Sequence, residues 1–241
     1  MDPAEYVDAL ADRADALISA SRIDLGAAVP SCPGWSVTDL LTHVGTTWGW
    51  AATIVRTGGR ADPSAGVEMP GPDGLIDWAE VRIADLLEVL KAADPDANCW
   101  TFGLPRTPRF WMRRQANETA VHAWDAQGAT GSHGPIEPDL AADGLDEYLT
   151  VMLERLVKRA PDGWDGESVH LHRTDGPGEW SARIGPDGSC QVVREHTKGD
   201  LALRGKAETL YLWCVNRAPL DDLEVFGDRS IAERWTGQLL F

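Results

Sequence analysis

Apolar residues recur at intervals of three and four through the first two thirds of the chain, then switch to alternation. From about residue 3 to 20, Tyr6, Val7, Leu10, Ala14, Leu17 and Ile18 make one stripe, which predicts an amphipathic helix. Val29-Pro30-Ser31-Cys32-Pro33-Gly34-Trp35 is dense in turn formers and predicts a loop. Ser36 with Asp39 is a capping-box pattern; it opens a second helix that runs to about Thr57, where Gly58-Gly59 stop it. A loop follows at Met69-Pro70-Gly71-Pro72-Asp73-Gly74. The third helix carries Trp78, Ile83, Leu86, Leu87 and Leu90, and Asp94-Pro95 end it. Thr107-Pro108 starts a fourth, with threonine as cap and proline at the first helical position, and it dies at Gly128. A fifth runs from about Pro138 to Lys158 and ends before Pro161.

Past Pro161-Asp162-Gly163 the period changes. Val169-His170-Leu171-His172, Trp180 to Ile184 and Cys190 to Arg194 alternate, separated by Asp175-Gly176-Pro177-Gly178 and Pro186-Asp187-Gly188. They predict antiparallel strands of a meander. Leu201-Ala202-Leu203 reads as a further strand, Ala207 to Val215 as helix, Leu223 to Phe226 as extended chain and Arg229 to Trp235 as helix. The expected fold is therefore α+β: a four- or five-helix bundle over residues 1–160, then a small α+β domain over 161–241.

Charge narrows the partners. Lys and Arg number 22 against 38 Asp and Glu, a net charge of −16, which argues against nucleic acid and anionic membrane. Met1-Asp2-Pro3-Ala4-Glu5-Tyr6 has no basic n-region or long apolar run, so no signal peptide is predicted, and no stretch reaches a membrane span. Cys32, Cys99, Cys190 and Cys214 are far apart with no C-x-x-C pair, which fits reduced thiols in a cytoplasmic protein. Most of the 11 tryptophans belong to the core, with a few available to line a pocket.

The candidate chemistry lies in the fourth helix. Glu118 and His122, four apart, stack on one helical face and can grip one metal ion. His43 lies on the second helix among Leu40, Leu41 and Val44, at the core or its margin. If the two helices pack side by side, His43, Glu118 and His122 form a ligand set that leaves coordination positions open, as catalytic zinc sites do. The same spacing also suits a surface pair, and a lone core histidine is commonly satisfied by hydrogen bonds. Arg114 is placed to pair with Glu118 or to reach an anionic ligand, and Asp125 to cap backbone or pair with arginine. His170 and His172 share a strand face without an acidic or cysteine partner evident in the sequence; His133 and His196 fall in loops.

Three stretches resemble the mycothiol-dependent maleylpyruvate isomerase family of actinobacteria. They are Val29 to Val44, Asn117 to Ala126, and Leu212-Trp213-Cys214-Val215-Asn216-Arg217-Ala218-Pro219-Leu220-Asp221 with Val225-Phe226-Gly227-Asp228. The resemblance implies an N-terminal bundle of the DinB type and a C-terminal domain similar to sterol-carrier proteins. It implies zinc on His43, Glu118 and His122, mycothiol as thiol cosubstrate, and a catalytic arginine at Arg217. Arg217 also suits a cation at a helix C-terminus. Where many relatives carry His before the Glu and Arg after the second His, this chain has Asn117 and Ala123, which alters the pocket edge.

The expected function is that of a metalloenzyme whose zinc-bound thiolate attacks a small electrophile, as an isomerase or an S-transferase. Two alternatives stand beside it: a non-catalytic carrier of apolar ligands, and a metal-dependent hydrolase using bound water. A homodimer is compatible with bundles of this type.

Overall fold

Asp2 and Ser36 start the first two helices in the same way. In a computed structural model, which describes residues 1–63, 70–159 and 163–239, each cap's side chain accepts the backbone N–H of Glu5 or Asp39. That acid's carboxylate in turn takes the cap's own N–H. The helices are α1 (Pro3–Ser21), α2 (Val37–Thr57), α3 (Leu75–Ala92) and α4 (Pro108–Ala129). Gly58 ends α2 in the left-handed region at φ 69°. Pro108 opens α4 as expected, but the Thr107 side chain makes no capping hydrogen bond.

Among the described residues these four helices and their loops form one compact unit, Met1–Ile136. α1 packs on α4 and α3, and α2 on α3 and α4. Leu10, Leu17, Leu40, Leu41 and Leu86 are all but fully buried in its interior, as are Trp48 and Trp111. Each such leucine contributes about 1.5–3 kcal/mol. Two contacts fix α2, the helix that carries His43. The Trp48 indole N–H donates to Thr119 Oγ1 on α4 at 3.0 Å. Gly45 lies directly under the Trp78 ring of α3, where a Cβ would stand 2.2 Å from a ring carbon.

The second compact unit is Glu137–Phe241. It opens with α5 (Pro138–Glu147), a π-helical turn (Tyr148–Met152) and α6 (Leu153–Val157), so the expected fifth helix is interrupted. The expected boundary between residues 160 and 161 falls outside the described residues. The stretch from Pro138, assigned from the sequence to the bundle, packs within the second unit on α7 (Ala207–Cys214). Asp146 accepts the Trp180 indole N–H at 2.9 Å, and Asp139 pairs with the buried Arg173 at 3.0 Å.

The strands are β1 (Ser168–Arg173), β2 (Glu179–Ile184), β3 (Cys190–Val193), β4 (Leu201–Gly205) and β5 (Glu224–Gly227), in sheet order β3-β2-β1-β4-β5. β1, β2 and β3 make the expected antiparallel meander. β4 does not extend it: it pairs with β1 in parallel, on β1's free edge. The register keeps the apolar residues of the three strands together. Val169 and Leu171 sit opposite Leu201 and Leu203 on one side and Ala182 and Trp180 on the other, so one sheet face is apolar throughout. α7 covers β1 and β4, and α8 (Arg229–Gln238) covers β4. Among the described residues no helix is long and apolar enough to cross a membrane.

Candidate metal centre

α2 and α4 pack against each other, and their facing sides bring His43 to Glu118 and His122. The three offer ligand atoms that all lie within 4.8 Å of one another. Glu118 Oε1 is 3.3 Å from His43 Nε2 and 3.3 Å from His122 Nε2. Those contacts are long for charge-assisted hydrogen bonds, which run about 2.7–2.9 Å. They match the edge of a tetrahedron with arms of about 2.0–2.1 Å, which is about 3.3–3.4 Å. The donor set, two imidazoles and a carboxylate, is one that zinc takes. The residues present therefore fit the metal that the sequence suggested.

Each of the three side chains is held by a neighbour. Arg114, one turn before Glu118, pairs with its Oε2 and leaves Oε1 toward the imidazoles. Asp125, fully buried, sits 3.0 Å from His122 Nδ1. That partner puts the proton on Nδ1 and turns the Nε2 lone pair to Glu118. Asp125 is fixed from the loop before α2: Ser31 Oγ donates to it at 2.6 Å and Cys32 Sγ at 3.6 Å. Trp35 leans on the His43 ring, centroid to centroid 5.3 Å. Burial, and then the charges of His122 and Arg114, push the His43 pKa down to about 4. The imidazole is neutral at pH 7, the form that binds metal.

Arg114 pairs as the spacing suggested. Asp125 meets a histidine, His122, a contact the spacing alone had not singled out. The loop residues Ser31, Cys32 and Trp35 were not anticipated here at all. Asn117 and Ala123 are both buried, so the two departures from the family pattern point into packed surroundings.

Arg217 lies in the second unit. α7 ends in a Schellman turn: Arg217 N–H donates to Leu212 O at 2.7 Å and Asn216 N–H to Trp213 O at 3.0 Å, with Asn216 left-handed at φ 61°. The Arg217 guanidinium donates to Val215 O at 2.7 Å, the contact a helix-terminal cation makes. It also lines a cleft of about 390 Å³ with Pro219, Leu220, Glu233 and Thr236. His133 is exposed and stacks on Trp124 at 3.6 Å. His170, His172 and His196 converge on Glu179, an acid the sequence had not paired with them.

Two family models match the chain. The mycothiol maleylpyruvate isomerase N-terminal domain matches residues 7–127, and the MDMPI C-terminal domain matches residues 139–234. Two uncharacterized proteins of Mycobacterium tuberculosis, from strains CDC 1551 / Oshkosh and ATCC 25618 / H37Rv, are each 29% identical over 153 residues. Each alignment covers 60% of this chain and 76% of the relative. The crystal structure of a mycothiol-dependent maleylpyruvate isomerase has the same fold, with a TM-score of 0.64, 13% identity and 93% of each chain covered. That of a mutant isomerase is equally similar in fold, with a TM-score of 0.64, 12% identity and 93% of each chain covered.

Proposed function

The chain belongs to the mycothiol maleylpyruvate isomerase family, and on that premise we propose that it is a zinc enzyme using mycothiol. The thiol would be the nucleophile toward a small electrophilic substrate, and the reaction would end in isomerisation or S-transfer. The observation that carries the reading is the single carboxylate oxygen, Glu118 Oε1, set 3.3 Å from Nε2 of both His43 and His122. A zinc ion held by these three residues would lower the pKa of a thiol and keep it as thiolate at neutral pH.

The chain's own residues supply the rest. Asp125 keeps His122 in the tautomer that offers Nε2, and Arg114 neutralises and aims Glu118. Trp35 gives the approach to His43 an apolar edge. Arg217 is assigned to hold a substrate carboxylate or an enolate oxygen, for which its planar fork of donors is suited. A carrier of apolar ligands has no need of this ligand set, which speaks against that alternative.

The test is turnover of a panel of electrophiles by zinc-loaded protein, with and without mycothiol, repeated with Glu118→Gln. Thiol-dependent turnover that chelation removes, zinc restores and Glu118→Gln lacks is the expected result. Turnover that ignores the thiol would point to a hydrolase and sink the proposal.

A further inference from the structure

The polar face of the second unit's sheet carries a cluster separate from His43, Glu118 and His122. His170 and His172, two apart on β1, point to the same face. In the β1–β2 register His172 stands opposite Glu179, and His170 opposite Ser181. The loop after β3 brings in His196. His172 Nδ1 and His196 Nδ1 each lie 2.8 Å from a Glu179 oxygen, and His170 Nε2 lies 3.7 Å from one. One ligand atom from each of the four residues falls within 4.8 Å of the others.

Three features argue for more than a carboxylate with basic neighbours. First, His170 is only 4% exposed, and its Nε2 is buried, aimed at the cluster and without a hydrogen-bond partner. A buried ring nitrogen left without a partner is unfavourable, and a ligand there would relieve that. Second, its other nitrogen is engaged: Nδ1 meets Ser181 Oγ at 3.0 Å, and Thr197 Oγ1 donates to that same hydroxyl. This is how metal-binding histidines are commonly oriented, with one nitrogen fixed and the other presented. Third, the loop after β3 is held close against β1. Gly199 lies so close to β1 that a Cβ would stand 3.0 Å from the backbone nitrogen of His170.

We propose that His170, His172, Glu179 and His196 form a second metal site, specific for a borderline divalent transition ion, zinc above all. Three imidazoles and one carboxylate suit zinc, and nickel or copper after it. Calcium and magnesium need oxygen ligands, of which the set has a single carboxylate. Four protein ligands complete a tetrahedral zinc shell, so the role is structural. Binding ties the loop after β3 to the sheet. His196, with a 76% exposed side chain, is the most exposed of the four.

Metal uptake by the full chain, purified without a histidine tag, tests this independently of the bundle site. Proteins are dialysed against micromolar zinc and zinc per chain is measured by mass spectrometry. The His122→Ala variant is expected to keep one zinc and to melt higher when zinc is added. Adding Glu179→Gln or His196→Ala to it should remove that zinc and the zinc-dependent shift, with the far-UV circular dichroism unchanged. Cobalt(II) in the His122→Ala variant should give tetrahedral visible bands that Glu179→Gln abolishes. Ser181→Ala should weaken zinc binding about 10- to 100-fold. If the His122→Ala variant binds no zinc, or binds it equally after Glu179→Gln, the second site does not exist. A wild-type chain holding one zinc that Glu179→Gln removes and His122→Ala does not would instead overturn the bundle site alone.

Discussion

Asp125 and His122 form a carboxylate–imidazole pair at 3.0 Å, with the carboxylate wholly shielded from solvent. The pair settles which imidazole nitrogen carries the proton, and so which one faces Glu118. Asp125→Asn keeps the shape but no longer specifies that tautomer, since an amide can present either its oxygen or its NH₂. Zinc affinity is expected to fall about 10- to 100-fold, measured by competition with a chromogenic chelator. An unchanged affinity would show that Asp125 serves only the fold.

His43 predicts a pH effect in the metal-free protein. Its pKa of about 4 in the folded state compares with about 6.5 in the unfolded chain. As pH falls from about 6.5 toward 4, the unfolded chain takes up a proton that the folded protein refuses. Stability therefore falls across that window and levels off below it. The side chain is 41% exposed, so solvent screening keeps the loss well under the full linkage value. An NMR titration of the imidazole should give a midpoint near 4, and urea midpoints should drop between pH 7 and pH 5. A midpoint near 6.5 would show that solvent reaching this half-exposed ring cancels the shift.

Gly45 tests how α2 is held. The methyl of Gly45→Ala would stand 2.2 Å from the Trp78 ring, so the ring or α3 must move. Such overpacking typically costs about 1–3 kcal/mol. A lower urea midpoint is expected, with weaker zinc binding because His43 is two residues away on the same helix. Equal stability would mean that Trp78 rotates aside without cost.

Arg217 has two readings that one substitution separates. Arg217→Lys keeps a cation for the end of α7 but loses the bidentate fork. If Arg217 holds substrate, kcat/KM should fall at least tenfold with the melting temperature unchanged. If it serves only the helix end, where it already donates to Val215 O, activity should survive and Arg217→Ala should lower the melting temperature.

The helices and the Glu118–His122 pair were legible because they rest on local spacing: stripes at three and four, the cap at Ser36, and Glu118 four from His122. What escaped depends on residues far apart in sequence. Ser31 reaches Asp125 only after the loop before α2 folds onto α4. Glu179 meets His172 only through strand register, and His196 joins through a loop. The parallel pairing of β4 with β1 leaves no mark in alternation, which reports a face and never a neighbour. A helical stripe likewise says that α5 buries one side, not which interior receives it.

The place of α5 bears on how the polypeptide can be divided. A C-terminal fragment begun near residue 163 would leave the Trp180 indole and Arg173 without Asp146 and Asp139. It would also remove α5, which packs on α7. Cutting between Ile136 and Glu137 instead gives each half the residues that fill its own interior, so that is where expression of separate halves should start.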